Sequence, residues 1–328
     1  MKLVIKISLV LSCAFLCSCM NFEKQTLILR YDKANDKLCI FQNYEGIYGD
    51  KGEDELDGNE QNQLDSVVNS GRTFFFGNWI FEISLDGIEK SIKEDEENLN
   101  NLQRMTTAEE SQGAINVLKE RVSLKRSMLT NVKIKNGKFY LNKDGKLCGY
   151  QYVTLNNASE MVEDCNRLIS AYAMNANLDD MDKSFYRKLK DAALAKHTWI
   201  KLDGSSIRAD VPMPYDYFQK MKSDKAESIT QIINDPDKDK KALAEQIQGL
   251  ISVLNSDAWG SYVDDKAIIA IGHPSKPYAK LTGNVSSKYT DNAVKYVKDK
   301  YGIEENVDAE KLIKDFLEAK EELPNKAR

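Results

Sequence analysis

Histidine, proline and glycine are scarce: the 328 residues include two His, six Pro and 17 Gly. The two His, His197 and His273, stand far apart and in no His-Glu-x-x-His or other zinc spacing, so no metal site is expected from them. So few Pro and Gly exclude a collagen-like or proline-rich fibrous chain. The Gly-x-x-x-x-Gly-Lys-Ser/Thr loop that cradles nucleotide phosphates is missing, and so is the Gly-x-Ser-x-Gly elbow of serine hydrolases. A surplus of positive charge is missing too. The net charge of −5 leaves no electrostatic footprint for nucleic acid. Long apolar runs are confined to the N-terminus, and mean hydropathy is −0.51. What remains is 42% hydrophobic and 9% aromatic residues, enough for a folded core in one large or two small domains.

The N-terminus reads as an address. Lys2 and Lys6 form a positive region, and residues 7–16 form an apolar stretch. That stretch is too short to span a bilayer, which takes about 20 residues, and it fits a cleaved secretory signal. The segment Leu16-Cys17-Ser18-Cys19 closes it. It resembles the bacterial lipobox: a Leu, a variable residue, a small residue and the modified Cys. The resemblance implies diacylglycerol transfer to the Cys19 thiol, cleavage after Ser18 and acylation of the new N-terminus. An ordinary signal peptide that contains cysteines is the plainer alternative. The resemblance covers about the first 20 residues and says nothing of the folded body. It implies a signal peptide over 1–18, a lipidated tether over 19–26 and attachment to the membrane through lipid on Cys19. Met20 follows Cys19 where a retained cargo would carry Asp, so in a cell with two membranes the resemblance implies sorting to the outer one. Cleavage removes Lys2 and Lys6, so the mature body is two charges more acidic and is not expected to cling to anionic headgroups.

Beyond the signal, Cys39, Cys148 and Cys165 remain. An odd count is a poor disulfide framework. Three small buried hydrophobes is the favoured reading, with one bridge and a free thiol as the alternative that an oxidising envelope permits.

Four segments of the body read as strand, tight polar turn, strand: 27–41, 132–155, 198–211 and 258–271. Their turns are Lys33–Asp36, Asn142–Gly145, Asp203-Gly204 and Asp264-Asp265. The first two share Lys-Leu-Cys directly after the turn, and the last two share a Trp near the start, Trp199 and Trp259. This suggests an internal repeat of hairpin units. A further aromatic hairpin over 73–85 turns at Gly77-Asn78. Between the hairpins, apolar stripes at helical spacing predict a charged, projecting helical hairpin over 88–130, its second helix starting at a Thr107/Glu110 capping box. Further helices are predicted from Asn157 to about 173, and over about 182–196, 214–233, 236–255, 291–300 and 309–323. Residues 43–59 read as a Gly- and acid-rich loop. The expected fold is α+β, with antiparallel hairpins and helices packed on the sheet. An N-terminal region over 27–155 and a C-terminal one over 156–328 divide the body.

Chemistry is harder to find. Glu53, Glu55, Asp57 and Gly58 approach a calcium-loop pattern, but its twelfth position is Leu64 where a bidentate Glu is needed, so a solvated acidic loop is the better reading. His197 fits a helix C-terminus and His273 a turn before Pro274. Asp179-Asp180 and Asp264-Asp265 fit caps and turns. Tyr150 and Tyr152 share a strand face with Cys148, which makes either a ligand platform or a core row under a helix. The sum is a lipid-anchored envelope protein that binds an envelope protein or polymer without catalysis, with no catalytic residue and no cofactor expected. The alternative is an anchored hydrolase of an envelope polymer that uses a carboxylate pair roughly 5–10 Å apart.

Overall fold

The computed structural model describes residues 20–51, 54–69, 71–75, 81–105, 108–175, 183–219, 258–286 and 288–319. The signal, Cys19, the Gly77-Asn78 turn, Thr107, Asp179-Asp180 and the helices expected across 220–255 lie outside those residues. The chain opens with strands β1 (Met20–Asp32) and β2 (Lys37–Gly49), helix α1 (Gly58–Asn69) and the short hairpin β3 (Arg72–Phe75) and β4 (Phe81–Ser84). Helices α2 (Leu85–Met105) and α3 (Ala108–Asn131) lead to β5 (Val132–Leu141) and β6 (Leu147–Asn156). Helices α4 (Ala158–Asn175) and α5 (Lys183–Leu194) follow, then β7 (Ile200–Asp203), β8 (Ser206–Pro212), β9 (Ala258–Val263), β10 (Lys266–Ile271) and β11 (Ala279–Asn284). Helices α6 (Val294–Tyr301) and α7 (Ala309–Glu318) close the described chain. The class is α+β, with helices on antiparallel sheets.

A five-stranded sheet has the order β11-β1-β2-β6-β5, and a four-stranded sheet has β7-β8-β10-β9. In each, two hairpins join through their second strands. The Lys-Leu-Cys segments lead into β2 and β6, which run antiparallel. Aligning those segments makes Gln42 equivalent to Gln151, and these two residues face each other in register. Aligning Trp199 with Trp259 likewise makes Ala209 equivalent to Ile269, and these pair across β8 and β10. A local two-fold thus passes through each sheet, as a repeat of hairpin units would give. The turns agree. The last residue of each four-residue loop has positive φ, 49° at Asp36 and 73° at Gly145. Gly204, at 58°, opens the β7–β8 turn, and Asp264 and Asp265, at 50° and 60°, form the β9–β10 turn. The β7–β8 turn is Gly204-Ser205, one residue on from the expected Asp203-Gly204, because Asp203 pairs with Ser206.

Several expectations change. Residues 20–26 are not a tether: they belong to β1 and pair with β2 from Met20 onward, with Met20 and Phe22 buried. The acidic loop is much shorter than 43–59, because β2 continues to Gly49 with Tyr44, Ile47 and Tyr48 buried and α1 begins at Gly58. The division after residue 155 does not separate two bodies. β11 returns to pair with β1, and Val297 of α6 joins the core of the first sheet. The helical pair also meets a third helix, since α3 packs against both α2 and α4. Helix α4 is capped from a distance: Asp36 accepts hydrogen bonds from the Ser159 amide (3.0 Å) and hydroxyl (2.5 Å), while Asn157 takes φ 48°. The physical gain is a link between the first hairpin and α4.

The main core lies on one face of the five-stranded sheet, where Leu27, Leu38, Ile40 and Val153 meet Leu64 of α1 and Met161 of α4. Leu202, Ile207 and Ile271 of the smaller sheet pack against it. On the opposite face, Ile28 and Phe41 lie under Ile313 and Phe316 of α7. A third cluster joins Phe185 and Leu189 of α5 to Trp199 and Ala267.

Candidate functional site

The site is built around a break in β5. Asn136 pairs with Gln151 and Phe139 with Gly149, so Gly137 and Lys138 together oppose Tyr150. Two residues against one is a β-bulge, a device that bends a strand and parts it from its neighbour. Gly137 is needed there, because a Cβ would come within 2.1 Å of the Tyr150 ring. The bend opens a cavity of about 430 Å³. Met20 and Phe22 of β1 and Ile47 of β2 line it, with Leu64, Val67 and Val68 of α1. Phe139 and the segment Tyr301–Glu304 after α6 complete the wall. The lining is mostly apolar, and the volume lies within the roughly 300–1,000 Å³ of small-molecule sites.

The polar groups of the wall belong to a buried network. The Tyr44 hydroxyl donates to Gln151 Oε1 (2.9 Å) and approaches Gln42 Oε1 (3.1 Å). Gln151 Nε2 donates to Asn136 Oδ1 (2.6 Å) and the Arg72 carbonyl (2.8 Å). Gln42 Nε2 donates to Thr73 Oγ1 (2.6 Å), and Gln25 Nε2 to Gln42 Oε1 (3.1 Å). The wall's amides are therefore turned to one another and hold the bulged strand against β2 and β3. At the rim, Lys138 and Glu304 form an exposed ion pair, and the hydrogen bond to Glu304 raises the Lys138 ammonium above its ordinary value.

The segment 301–304 is fixed by Asp65 of α1, which accepts from Tyr296 (2.8 Å), Lys300 (2.6 Å) and Tyr301 (2.5 Å). Burial pushes the Asp65 carboxyl up, but these bonds outweigh it and hold the group below the usual range. Burial, helped by the bond to Asp65, pushes the Tyr301 phenol up to about 12.

The residues singled out in the sequence are scattered. Tyr150 and Tyr152 both pack with Phe41 under α7, so the core-row reading holds for the pair, and Tyr150 also borders the cavity wall. Cys148 is fully buried, and burial lifts its thiol to about 11. Burial lifts Cys165 to about 11 as well, and Cys39, Cys148 and Cys165 are all free thiols. Such thiols are unreactive at neutral pH. His197 Nε2 donates to the Asp210 carbonyl (2.9 Å) and meets Trp199 edge-on, and its backbone amide closes α5 on the Ala192 carbonyl. His273 Nδ1 bonds Ser275 within the turn. Asp57 accepts from the Asn59 and Glu60 amides while Glu60 accepts from the Asp57 amide, so this part of the acidic stretch is a capping box for α1. Among the described residues no group of three or more His, Cys, Asp or Glu could hold a metal ion. Among the described residues the cavity lining holds one carboxylate, Glu304, and it is paired with Lys138. Comparison of the chain with family models, curated proteins and solved structures finds no match.

Proposed function

We propose that the protein is a lipid-anchored component of a bacterial cell envelope that binds an apolar ligand without chemical transformation. The cavity beside the β5 bulge carries this reading. It is apolar, it has the volume of a ligand site, and its lining begins at Met20, the residue after Cys19. The anchor rests on the lipobox-like Leu16-Cys17-Ser18-Cys19, with Cys19 lipidated and the signal 1–18 removed. Several acyl chains on one residue hold firmly, since a single chain gives only marginal attachment. Met20 after Cys19 supports delivery to an outer membrane where the cell has one. No helix among the described residues is long and apolar enough to cross a membrane. A hydrolase reading would need a second carboxylate facing Glu304 across the cavity, and the lining offers none among the described residues.

Cells fed a radiolabelled palmitate precursor test the anchor. Label should enter the wild-type protein and be lost from Cys19→Ala, which should accumulate unprocessed or leave the membrane fraction. Label that persists in Cys19→Ala overturns the anchor.

A further inference from the structure

We infer that the ligand of the cavity is one acyl chain of a phospholipid, taken from the membrane leaflet in which Cys19 is anchored. This rests on the lipoprotein reading. Met20 already lines the cavity, and consecutive Cα atoms lie about 3.8 Å apart. A lipid on Cys19 therefore leaves no linker between bilayer and cavity. Because β1 is held by β2 from Met20 and by β11 from Lys24, the cavity stays at the membrane surface. The wall suits an occupant that is apolar along its whole length. Phe22, Ile47, Leu64, Val67 and Phe139 supply apolar surface, and the Tyr44, Gln151 and Asn136 side chains are engaged with one another. The rim suits an occupant with a charged end. Lys138 and Glu304 stand there largely exposed, an ion pair that offers both signs of charge to a zwitterionic headgroup that stays outside. An apolar tail joined to a charged head, available in a bilayer in direct reach, is a phospholipid. A soluble apolar metabolite would match the wall and leave the rim and the position unexplained.

Photolabelling tests this with the full lipidated protein in phosphatidylethanolamine–phosphatidylglycerol vesicles. The probe is phosphatidylethanolamine with a diazirine near the end of one acyl chain. After irradiation, phospholipid adducts should fall on peptides containing Phe139 or residues 301–304. They should drop at least tenfold in Val67→Trp, which fills the cavity from α1. Val68→Trp, from the same helix, serves where Val67→Trp loses its far-ultraviolet circular dichroism. Adducts confined to the vicinity of Cys19, or equal in a folded filled variant, overturn the inference. A second preparation carries the diazirine only on the fatty acids of Cys19. Its crosslinking to the same peptides would show the cavity occupied by the protein's own anchor, which also overturns it. The mass of the N-terminal peptide reports lipidation separately. An unmodified Cys19 defeats the lipoprotein reading on which the inference rests, whereas a lipidated Cys19 without cavity adducts defeats the inference alone.

Discussion

Two glycines show how one missing Cβ shapes the molecule. Gly204 has φ 58°, and a Cβ there would lie 2.5 Å from the Pro274 carbonyl oxygen. Gly204→Val should cost roughly 1–3 kcal/mol, since a β-branched residue is strained in the left-handed region. A thermal melt reads the loss, and an unchanged midpoint would contradict it. Gly137 sits under the Tyr150 ring, so Gly137→Ala should displace that ring and destabilise by roughly 1–3 kcal/mol through overpacking. It should also disturb the photolabelling of the cavity, which Gly204→Val should leave alone. The two positions differ in how the sequence announces them. Asp203-Gly204 between apolar residues reads as a turn, and the turn lies one residue on. Asn136-Gly137 is as strong a turn signal, yet it sits inside β5, because the Asn142–Gly145 loop already closes the β5–β6 hairpin. A bulge of two residues against one depends on the partner strand, and no local pattern marks it.

At the scale of elements, the joint between α2 and α3 is electrostatic as well as apolar. Asp95 is buried, forms two hydrogen bonds with Arg121 and a third with Lys125 (2.7 Å), and Lys125 also donates to Ser91 (2.5 Å). Removing the carboxylate strands two largely buried cations. Asp95→Ala should therefore cost roughly 3 kcal/mol. Replacing all three groups by apolar ones, in Asp95→Leu, Arg121→Met and Lys125→Met together, should recover most of that loss. Urea unfolding of both variants decides, and equal midpoints would mean the charges are solvated. The four hairpins were legible because turn chemistry is local, and the α2–α3 pair because its stripes of Ile92, Ile115, Leu118 and Val122 repeat at helical spacing. Three other elements were not. The end of β2 was hidden by Gly46, Gly49 and the acidic residues that follow, although Tyr44, Ile47 and Tyr48 are buried. Helix α1 is polar enough to pass for loop, and its Asp57/Glu60 capping box was the signal that could have found it. β11 exists through its pairing with β1 at the other end of the chain, and so distant a pairing has no local signature. The cavity needs β1, α1, the β5 bulge and the segment after α6 together, so none of them reveals it singly.

For the whole molecule, the paired hairpins give two sheets of like construction, and a small set of carboxylates ties the layers together. Asp36 joins the first hairpin, where it accepts from Tyr31, to α4 through Ser159, Asp65 joins α1 to α6, and Asp210 is held by Arg208 and Lys201 within the smaller sheet. Burial alone would raise all three carboxyls. The bonds they accept outweigh it, from Ser159 and Tyr31 at Asp36, from Lys300 and the two tyrosines at Asp65, and from Arg208 and Lys201 at Asp210. Each therefore titrates below an unfolded Asp, whose pKa is about 3.9. A group depressed in the fold binds protons more readily in the unfolded chain, so stability rises with pH while that difference lasts. Its contribution is complete above the unfolded value and disappears as pH falls through the folded one. The folded body should hold its urea midpoint with respect to these groups down to about pH 5 and then lose it steeply below about pH 4. Asp65→Asn should lower the midpoint at pH 7, because an amide cannot match the charge-assisted bonds from Lys300 and the two phenols. It should also flatten the acid limb, because one depressed carboxyl no longer titrates. The two effects have opposite signs in the difference between variant and wild type: a deficit at pH 7 that shrinks toward pH 3. A deficit that stays constant across that range would mean Asp65 stabilises by packing alone and its carboxylate is not depressed.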